Sequence, residues 1–466
     1  MASSMEPGSH EANKGSESGD EAYTWLVKEK YPYVGNITRC FDEQYNKDIK
    51  ERMDDLKLLA SPKTTTVTCD NLEIVMRNEN NLVKKISRWF NDKDTSDIQL
   101  KVGKYSYYCH KLILSNASPF LEKMIKDCTV IELDEKEDVQ ELFEIFIKFF
   151  YSAQIKVNLH SLDPLLSLAI KYQVDSLKTL CMLYMLKCTR YLSINQVLEW
   201  YILSQSHSFV DVALECKKNI AWNIEKLINS EYWLKLDLEM IIEILKSSNL
   251  IIHSEYVLFQ AILKWLETKH GEQFTEFGEL LLPFIRFPYL KPIELAYAET
   301  MFSENQRLRK LCMKLIKEAF RFCVLSPLQA LIDVSFAQSF FNPRNYTSLA
   351  MHKMTLQSLT EGTSTPKLVK TCVGPVPTKS IETYWNLFHI LSKETLNLWL
   401  YPENSALIQD LLVKALIVIS NEDGHIFQVE ELENECSTEK KMSIKVFLKR
   451  TELKNNITVI LKCYFK

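Results

Sequence analysis

Residues 96–126 read SDIQLKVGKYSYYCHKLILSNASPFLEKMIK. Ile98, Leu100 and Val102 alternate with polar residues, the period of a half-buried strand. Gly103-Lys104 is a turn signal, so 97–109 reads as a strand pair. A helical pattern follows over 111–126 and is interrupted at Ser118-Pro119, where Ser caps and Pro takes the first helical position. Downstream, Thr129 to Leu133 reads as a short strand and Val139 to Tyr151 as a helix. The apolar stripe of that helix is Leu142, Phe143, Phe146, Phe149 and Phe150. Ile155 to Val157 reads as a strand, and 161–172 and 176–188 as helices. Upstream, Leu82, Ile86, Trp89 and Phe90 recur at helical spacing.

Further from this centre, helical stripes continue for well over a hundred residues. They include Val197, Leu198, Tyr201 and Ile202; Leu238, Ile241, Ile242 and Leu245; and Val257 to Leu266. Wide stripes of this kind require stacking into a helical array or bundle. Helix persists over about 305–324 and is expected again at 327–340. The character changes at Asn342-Pro343. Residues 347–380 are rich in Ser, Thr and Pro, and period two then takes over. Ala415, Ile417 and Ile419 alternate with Leu416 and Val418, and Asn421 to Gly424 is a turn. Ser443 to Lys449 and Ile457 to Phe465 are expected to pair as a closing hairpin around Lys454-Asn455-Asn456. A C-terminal antiparallel β-sandwich is the simplest reading.

Composition excludes several classes. Only 10 of the 466 residues are Gly, and no GxGxxG or GxxxxGK(S/T) loop occurs to cradle a phosphate. A kelch propeller needs Gly in every blade. The net charge of −4 supplies no basic field for nucleic acid. No apolar run approaches the length of a membrane span. Residues 1–20 are polar, lack the apolar region of a signal peptide and read as a disordered tail. The 12 Cys form no CxxC pair and read as small buried hydrophobes of a reducing compartment. No HExxH, no GxSxG and no metal-ligand spacing stands out, so neither an enzyme nor a cofactor is expected.

Residues 96–126 resemble the first half of a BTB/POZ domain. The shared features are Ser96-Asp97 before the strand pair, His110-Lys111-Leu112 with Leu114, and Ser118-Pro119-Phe120-Leu121. The later elements keep the family's order as far as residue 188. The helices that follow resemble a BACK domain, most specifically at LIIHSEYVLF (250–259) and LLPFIRFPYL (281–290). The C-terminal β region is similar, in order and length, to the TRAF-like domain of the family of BTB/POZ domain-containing protein 17. The expected organisation is a disordered tail (1–20), an extension of unknown fold (21–79), a BTB/POZ α/β domain (80–190), an all-α BACK array (191–345), a linker or irregular strands (346–380) and a TRAF-like β-sandwich (381–466).

The resemblance implies roles for particular residues. Asp97 and Lys111 match the charged pocket of the BTB dimer interface, with a fold-stabilising pair inside one subunit as the other reading. Leu121, Ile125 and Asp127, with Trp200 and Tyr201 on the first BACK helix, match the region on which cullin-3 docks; core packing is the other reading for Trp200 and Tyr201. Where cullin binders carry a hydrophobic–x–Glu element in a longer loop, this chain has Ile125-Lys126-Asp127. The implied function is a non-catalytic, homodimeric substrate adaptor of a cullin-3 ubiquitin ligase, in the cytosol or nucleus. Its partners are a second copy, cullin-3 and a protein target held by the C-terminal domain, with no nucleic acid and no membrane. The alternative is a cullin-independent oligomeric scaffold.

Overall fold

The computed structural model describes residues 74–76, 81–269, 271–325, 339–350, 352–355, 367–373, 381–391, 395–402, 411–436, 442–447 and 455–465. The expected tail over 1–20, the extension up to residue 73, most of the 327–340 helix and most of the 346–380 linker lie outside them. The first unit contains β1 (Ile74–Met76), α1 (Asn81–Ile86), β2 (Ile98–Val102), β3 (Tyr105–Cys109), α2 (Lys111–Ala117), α3 (Pro119–Ile125), β4 (Val130–Leu133), α4 (Glu137–Gln140), α5 (Phe143–Ser152), β5 (Ile155–Val157), α6 (Leu159–Lys171) and α7 (Asp175–Cys188). Strand β2 pairs antiparallel with β3 and parallel with β4, while β1 pairs antiparallel with β5. Ile98, Leu100 and Val102 are buried and the residues between them are not, the alternation that pins strand register.

Gly103 turns the β2–β3 hairpin at φ +54°, and a Cβ there would overlap the Gln140 side chain; both facts favour glycine. Ser118 caps α3 by accepting a hydrogen bond from Leu121 N (3.0 Å) and donates its own hydroxyl to Tyr172 O. The helix expected over 139–151 is two helices, α4 and α5. At the break, Leu142 N reaches back to Val139 O, a tightened turn of the kind that ends helices.

The helical array contains α8 (Ile194–Ser206), α9 (Val210–Trp222), α10 (Ile224–Ile228), α11 (Glu231–Lys235), α12 (Leu238–Lys246), the short β6 (Ile251–Ile252), α13 (Glu255–Glu267), α14 (Glu272–Leu281), α15 (Pro292–Met301) and α16 (Gln306–Leu325). Ser193 and Gln196 form a capping box at the start of α8. One continuous apolar core runs from Ile98 through these helices to Ala319 and Tyr346. The array is therefore packed onto the first unit without a seam.

The strands that follow are β7 (Asn345–Tyr346), β8 (His352–Thr355), β9 (Lys367–Val373), β10 (Ile381–Leu391), β11 (Thr395–Pro402), β12 (Leu411–Ser420), β13 (Ile426–Cys436), β14 (Met442–Phe447) and β15 (Asn456–Phe465). Short β7 pairs in parallel with β6 of the helical array. The others run in the order β13-β12-β15-β9-β10-β11-β14, with β8 also on β15. All these pairings are antiparallel except the single β9–β15 bridge at Val373 and Cys463. The two halves on either side of that bridge contribute to one shared apolar core.

The expected closing hairpin is not formed. Strand β14 pairs with β11, and β15 pairs with β12. In the last strand Ile457, Val459 and Leu461 are buried as the alternation implies, but alternation carried no information about the strand's neighbour.

Strand β12 also departs from simple alternation. Val413, Ala415, Ile417 and Ile419 face the shared core, while Leu416 and Val418 are buried on the opposite face. Burial on both faces explains why the segment reads as an almost continuous apolar run.

Candidate protein-interaction surfaces

Asp97 precedes β2 and is exposed. Its Oδ1 accepts a hydrogen bond from the backbone N–H of Lys111 at 2.8 Å. This satisfies one of the open donors in the first turn of α2 and complements the positive end of the helix. Among the described contacts, the Lys111 ammonium donates to Lys126 O (3.4 Å) rather than to Asp97. The two residues therefore meet inside one chain through the Lys111 backbone and not through its ammonium.

His110 joins the same corner. Its backbone N–H donates to the Tyr151 hydroxyl at 2.9 Å, and its ring nitrogens lie 3.1 Å from that hydroxyl and 3.2 Å from Thr95 Oγ1. Burial raises the Tyr151 phenol well above its usual value, so it serves as a neutral hydrogen-bonding group. The apolar residue this corner offers to solvent is Leu112, 81% exposed, with half-exposed Trp89 against the His110 ring. Leu112 was read only as part of a motif; its exposure depends on how α2 sits on the sheet.

Helix α3 requires a correction. Leu121 and Ile125 are 0% and 2% exposed. They lie four residues apart, on the face of α3 that packs into the core. Their side chains do not form a contact surface. Glu122, Lys123, Met124, Lys126 and Asp127 are among the residues that α3 and its following turn expose. Trp200 and Tyr201 are corrected in the same way, at 7% and 3% exposure. The Tyr201 hydroxyl donates to Glu243 Oε2 at 2.6 Å and accepts from Gln205 Nε2 at 2.9 Å. Burial and then the Glu243 charge push its pKa up, so it stays neutral. On this helix the outward positions are Glu199, Ile202 and Gln205. The sequence stripe was read one residue too wide because Tyr201 and Ile202 are adjacent apolar residues on different sides of the helix edge.

The junction between the helices and the C-terminal strands was not anticipated. Leu416, Val418, Ile426 and Ile460 of the sheet cluster with Trp222 and Ile251 of the helical array. Each apolar side chain of this size contributes about 1.5–3 kcal/mol on full burial. Asn223 fixes the register across the contact. Its Nδ2 donates to Ile426 O at 2.9 Å and its Oδ1 accepts from Ile426 N at 2.8 Å. The His425 ring contacts Arg190 O at 2.9 Å through Nε2.

Beneath this contact lies a buried ionic knot. Glu255 and Arg344 have no exposed side-chain surface and are 3.1 Å apart. The Arg344 guanidinium also donates to the carbonyls of Leu245 (2.9 Å), Phe284 (3.0 Å) and Ser247. Glu255 accepts in addition from the Tyr346 hydroxyl (2.6 Å) and Arg286 N (2.9 Å). Arg286 reaches Asn342 O and Ser248 Oγ. Burial, and then the Arg344 charge, depress its pKa to about 10.

On the strand side, Lys462 donates to Asn345 Oδ1 at 2.7 Å and Pro343 O at 3.3 Å. Burial and the nearby Lys414 charge depress its pKa to about 7. Segment 342–346 is thus held from both sides. Glu255 sits in the motif stretch 250–259, but its partner Arg344 lies 89 residues away, beyond the reach of any local signal.

Among the described residues, no group of three or more His, Cys, Asp or Glu side chains is arranged to hold a metal ion. No helix there is long and apolar enough to cross a membrane.

Comparisons with known proteins identify the first unit and the helical array that follows it. A family model described as BTB/POZ domain matches residues 86–189, and one described as BTB And C-terminal Kelch (BACK) matches residues 197–299. BTB/POZ domain-containing protein 17 of Xenopus laevis is 26% identical over 302 residues, 63% of this chain and 63% of that protein. The Homo sapiens protein of the same name is 24% identical over 275 residues, 58% of this chain and 57% of that protein. Kelch-like protein 41 of Mus musculus is 24% identical over 246 residues, 49% and 38% of the two chains. The chain spans 57–63% of the length of the first curated relatives it matches. Among solved structures, the BTB domain of zebrafish PATZ1 aligns at 23% identity over 21% of this chain and 83% of that one, with a TM-score of 0.19.

Proposed function

The chain carries a BTB/POZ domain followed by a BACK domain, and from that premise we propose that it is a non-catalytic adaptor. In this reading it dimerises through BTB, binds cullin-3 and presents a protein target on a TRAF-like C-terminal β-sandwich, in the cytosol or nucleus. One observation carries the reading. The C-terminal strands are fastened to the helical array by an apolar contact, a reciprocal Asn223–Ile426 pair and the Glu255–Arg344 knot. A target held by those strands then stays at a defined distance from the BTB unit, as a ligase adaptor requires. Exposed Leu112 supplies an apolar anchor for self-association beside Asp97. Met124 on α3 and Ile202 on α8 are the exposed apolar residues available to a cullin.

Co-purification of the full chain with the N-terminal part of cullin-3 tests the adaptor. Binding at micromolar or tighter affinity, weakened about tenfold by Met124→Glu or Ile202→Glu, is expected. Absence of binding by an intact dimer overturns it. The second reading is a cullin-independent oligomeric scaffold. It is favoured by Asp127, one methylene shorter than Glu, and by the burial of Leu121, Ile125, Trp200 and Tyr201. Light scattering tests the dimer common to both readings; a monomer at micromolar concentration, unchanged by Leu112→Glu, counts against it.

A further inference from the structure

Helices α15 and α16 are the last two α-helices of the array among the described residues and pack on one another, with Cys312 Sγ 3.3 Å from Ala298 O. Their inner faces are filled by Leu295, Ala298, Leu308, Cys312, Leu315 and Ala319. Their outer faces are not wholly polar: exposed apolar side chains stand among the charged ones. On α15, Ile293, Tyr297 and Met301 repeat every four residues and form one exposed stripe. On α16, Met313, Phe320 and Val324 form a second. The six side chains are 40–61% exposed. Scattered single apolar residues need no explanation, but two stripes on neighbouring helices do.

The charge along α16 is one-sided, while α15 carries Glu294, paired with Lys291, and exposed Glu299. The 20 residues of α16 hold six Lys or Arg and a single Glu. Lys310, Lys314 and Lys317 form an exposed row on the flank of the α16 stripe. On the far flank of that row lies α14, where Arg307 pairs with Glu279 (2.6 Å). An apolar surface bordered on one side by cations complements a partner whose apolar ridge is bordered on one side by anions.

We propose that the α15–α16 face is a second protein-docking surface, and that it takes an acidic amphipathic helix of a partner protein. Two packed helices lie about 8–10 Å apart and leave between them a groove that accepts the ridge of a third. Repeats of four and seven residues are the spacing such a ridge presents. The Lys row sets the direction in which the incoming helix lies and makes its binding sensitive to salt. This surface is separate from the BTB face and from the C-terminal strands, so its test stands apart from the adaptor reading.

The probe is a fluorescent synthetic helix of about five turns, with Leu on one face and Glu on the other, titrated onto the full chain. Its counterpart carries Lys in place of Glu. Saturable binding of the Glu peptide is expected, weakened about tenfold or more by Phe320→Asp. The Lys314→Glu, Lys317→Glu double variant should lose the Glu peptide and gain the Lys peptide. That exchange of preference requires a folded protein, so it separates lost binding from lost structure. A photocrosslinking residue at Tyr297 should capture the Glu peptide.

Equal binding of both peptides, or a double variant that keeps its preference, overturns the proposal. Co-sedimentation with phosphatidylcholine–phosphatidylserine vesicles, abolished by Phe320→Asp when neither peptide binds, overturns it in favour of a lipid surface. A fall in molecular mass on Phe320→Asp, again without peptide binding, overturns it in favour of a contact between copies.

Discussion

Replacing Arg344 with Met tests whether segment 342–346 is locked to the helical array by charge. Arg344 and Glu255 are wholly buried. Removing one partner of a buried pair leaves the other charge uncompensated, a loss of about 3–5 kcal/mol. Three carbonyls, of Leu245, Ser247 and Phe284, lose a donor as well. Two features reduce the damage. Glu255 keeps the Tyr346 hydroxyl and Arg286 N as donors, and the Arg286 guanidinium remains nearby as a cation.

The expected loss is therefore at the lower end, about 3 kcal/mol, still a large share of a typical domain's stability. Arg344→Lys should recover little, because an ammonium cannot span a carboxylate and three carbonyls in one plane. Adding Glu255→Gln to Arg344→Met removes the orphaned charge and should recover part of the loss. Urea unfolding gives the magnitude. Hydrogen exchange gives the place, since a multidomain chain need not unfold in one step. Faster exchange over 245–255 and 339–350 is expected. A change under about 1 kcal/mol, with exchange there unaltered, would refute the reasoning, because a surface substitution does as much.

Three other outcomes follow from named groups. Lys462 has a folded pKa of about 7 against an ordinary 10.5. The unfolded chain binds the extra proton between those values, so this group's contribution to stability falls as pH drops from about 10.5 to 7 and is constant below. Lys462→Met should remove that part of the slope from urea midpoints measured across the window. Cys109, Cys181, Cys216 and Cys312 have pKa values pushed up to about 12 by burial, whereas Cys128 is exposed. Mass mapping after brief iodoacetamide treatment should find Cys128 alkylated before those four. Ser118→Ala removes both the cap of α3 and the bond to Tyr172 O; a loss of about 1–3 kcal/mol in thermal or urea unfolding is expected.

What could be read from residue order was local. A period of two gave β2 and β3, Gly103-Lys104 gave their turn, and Ser118-Pro119 gave the break between α2 and α3. These features act within a few residues, so sequence carries them directly. The motif around 96–126 then extended the reading to a whole domain. Surface assignment was less legible. Leu121 and Ile125 lie in the matching region, yet they point inward. A motif names the residues of an element without saying which of them pack and which remain free.

In the C-terminal region, alternation along the chain marked the strands around 415–419, 443–449 and 457–465 but did not name those at 381–391, 395–402 and 426–436. It could not say that consecutive β14 and β15 would part, one to β11 and the other to β12. Strand pairing is settled by which apolar faces can close over a common core, a comparison among segments far apart in sequence. The same holds for the knot at Glu255. Its motif stretch was visible, but the charge that neutralises it arrives from Arg344 after an intervening run of helices. The chain's own order thus dictated many of its elements and its first two domains. Folding in three dimensions decided the strand partners, the exposed faces and the fastening of the C-terminal unit, because each depends on distant groups excluding water from one another.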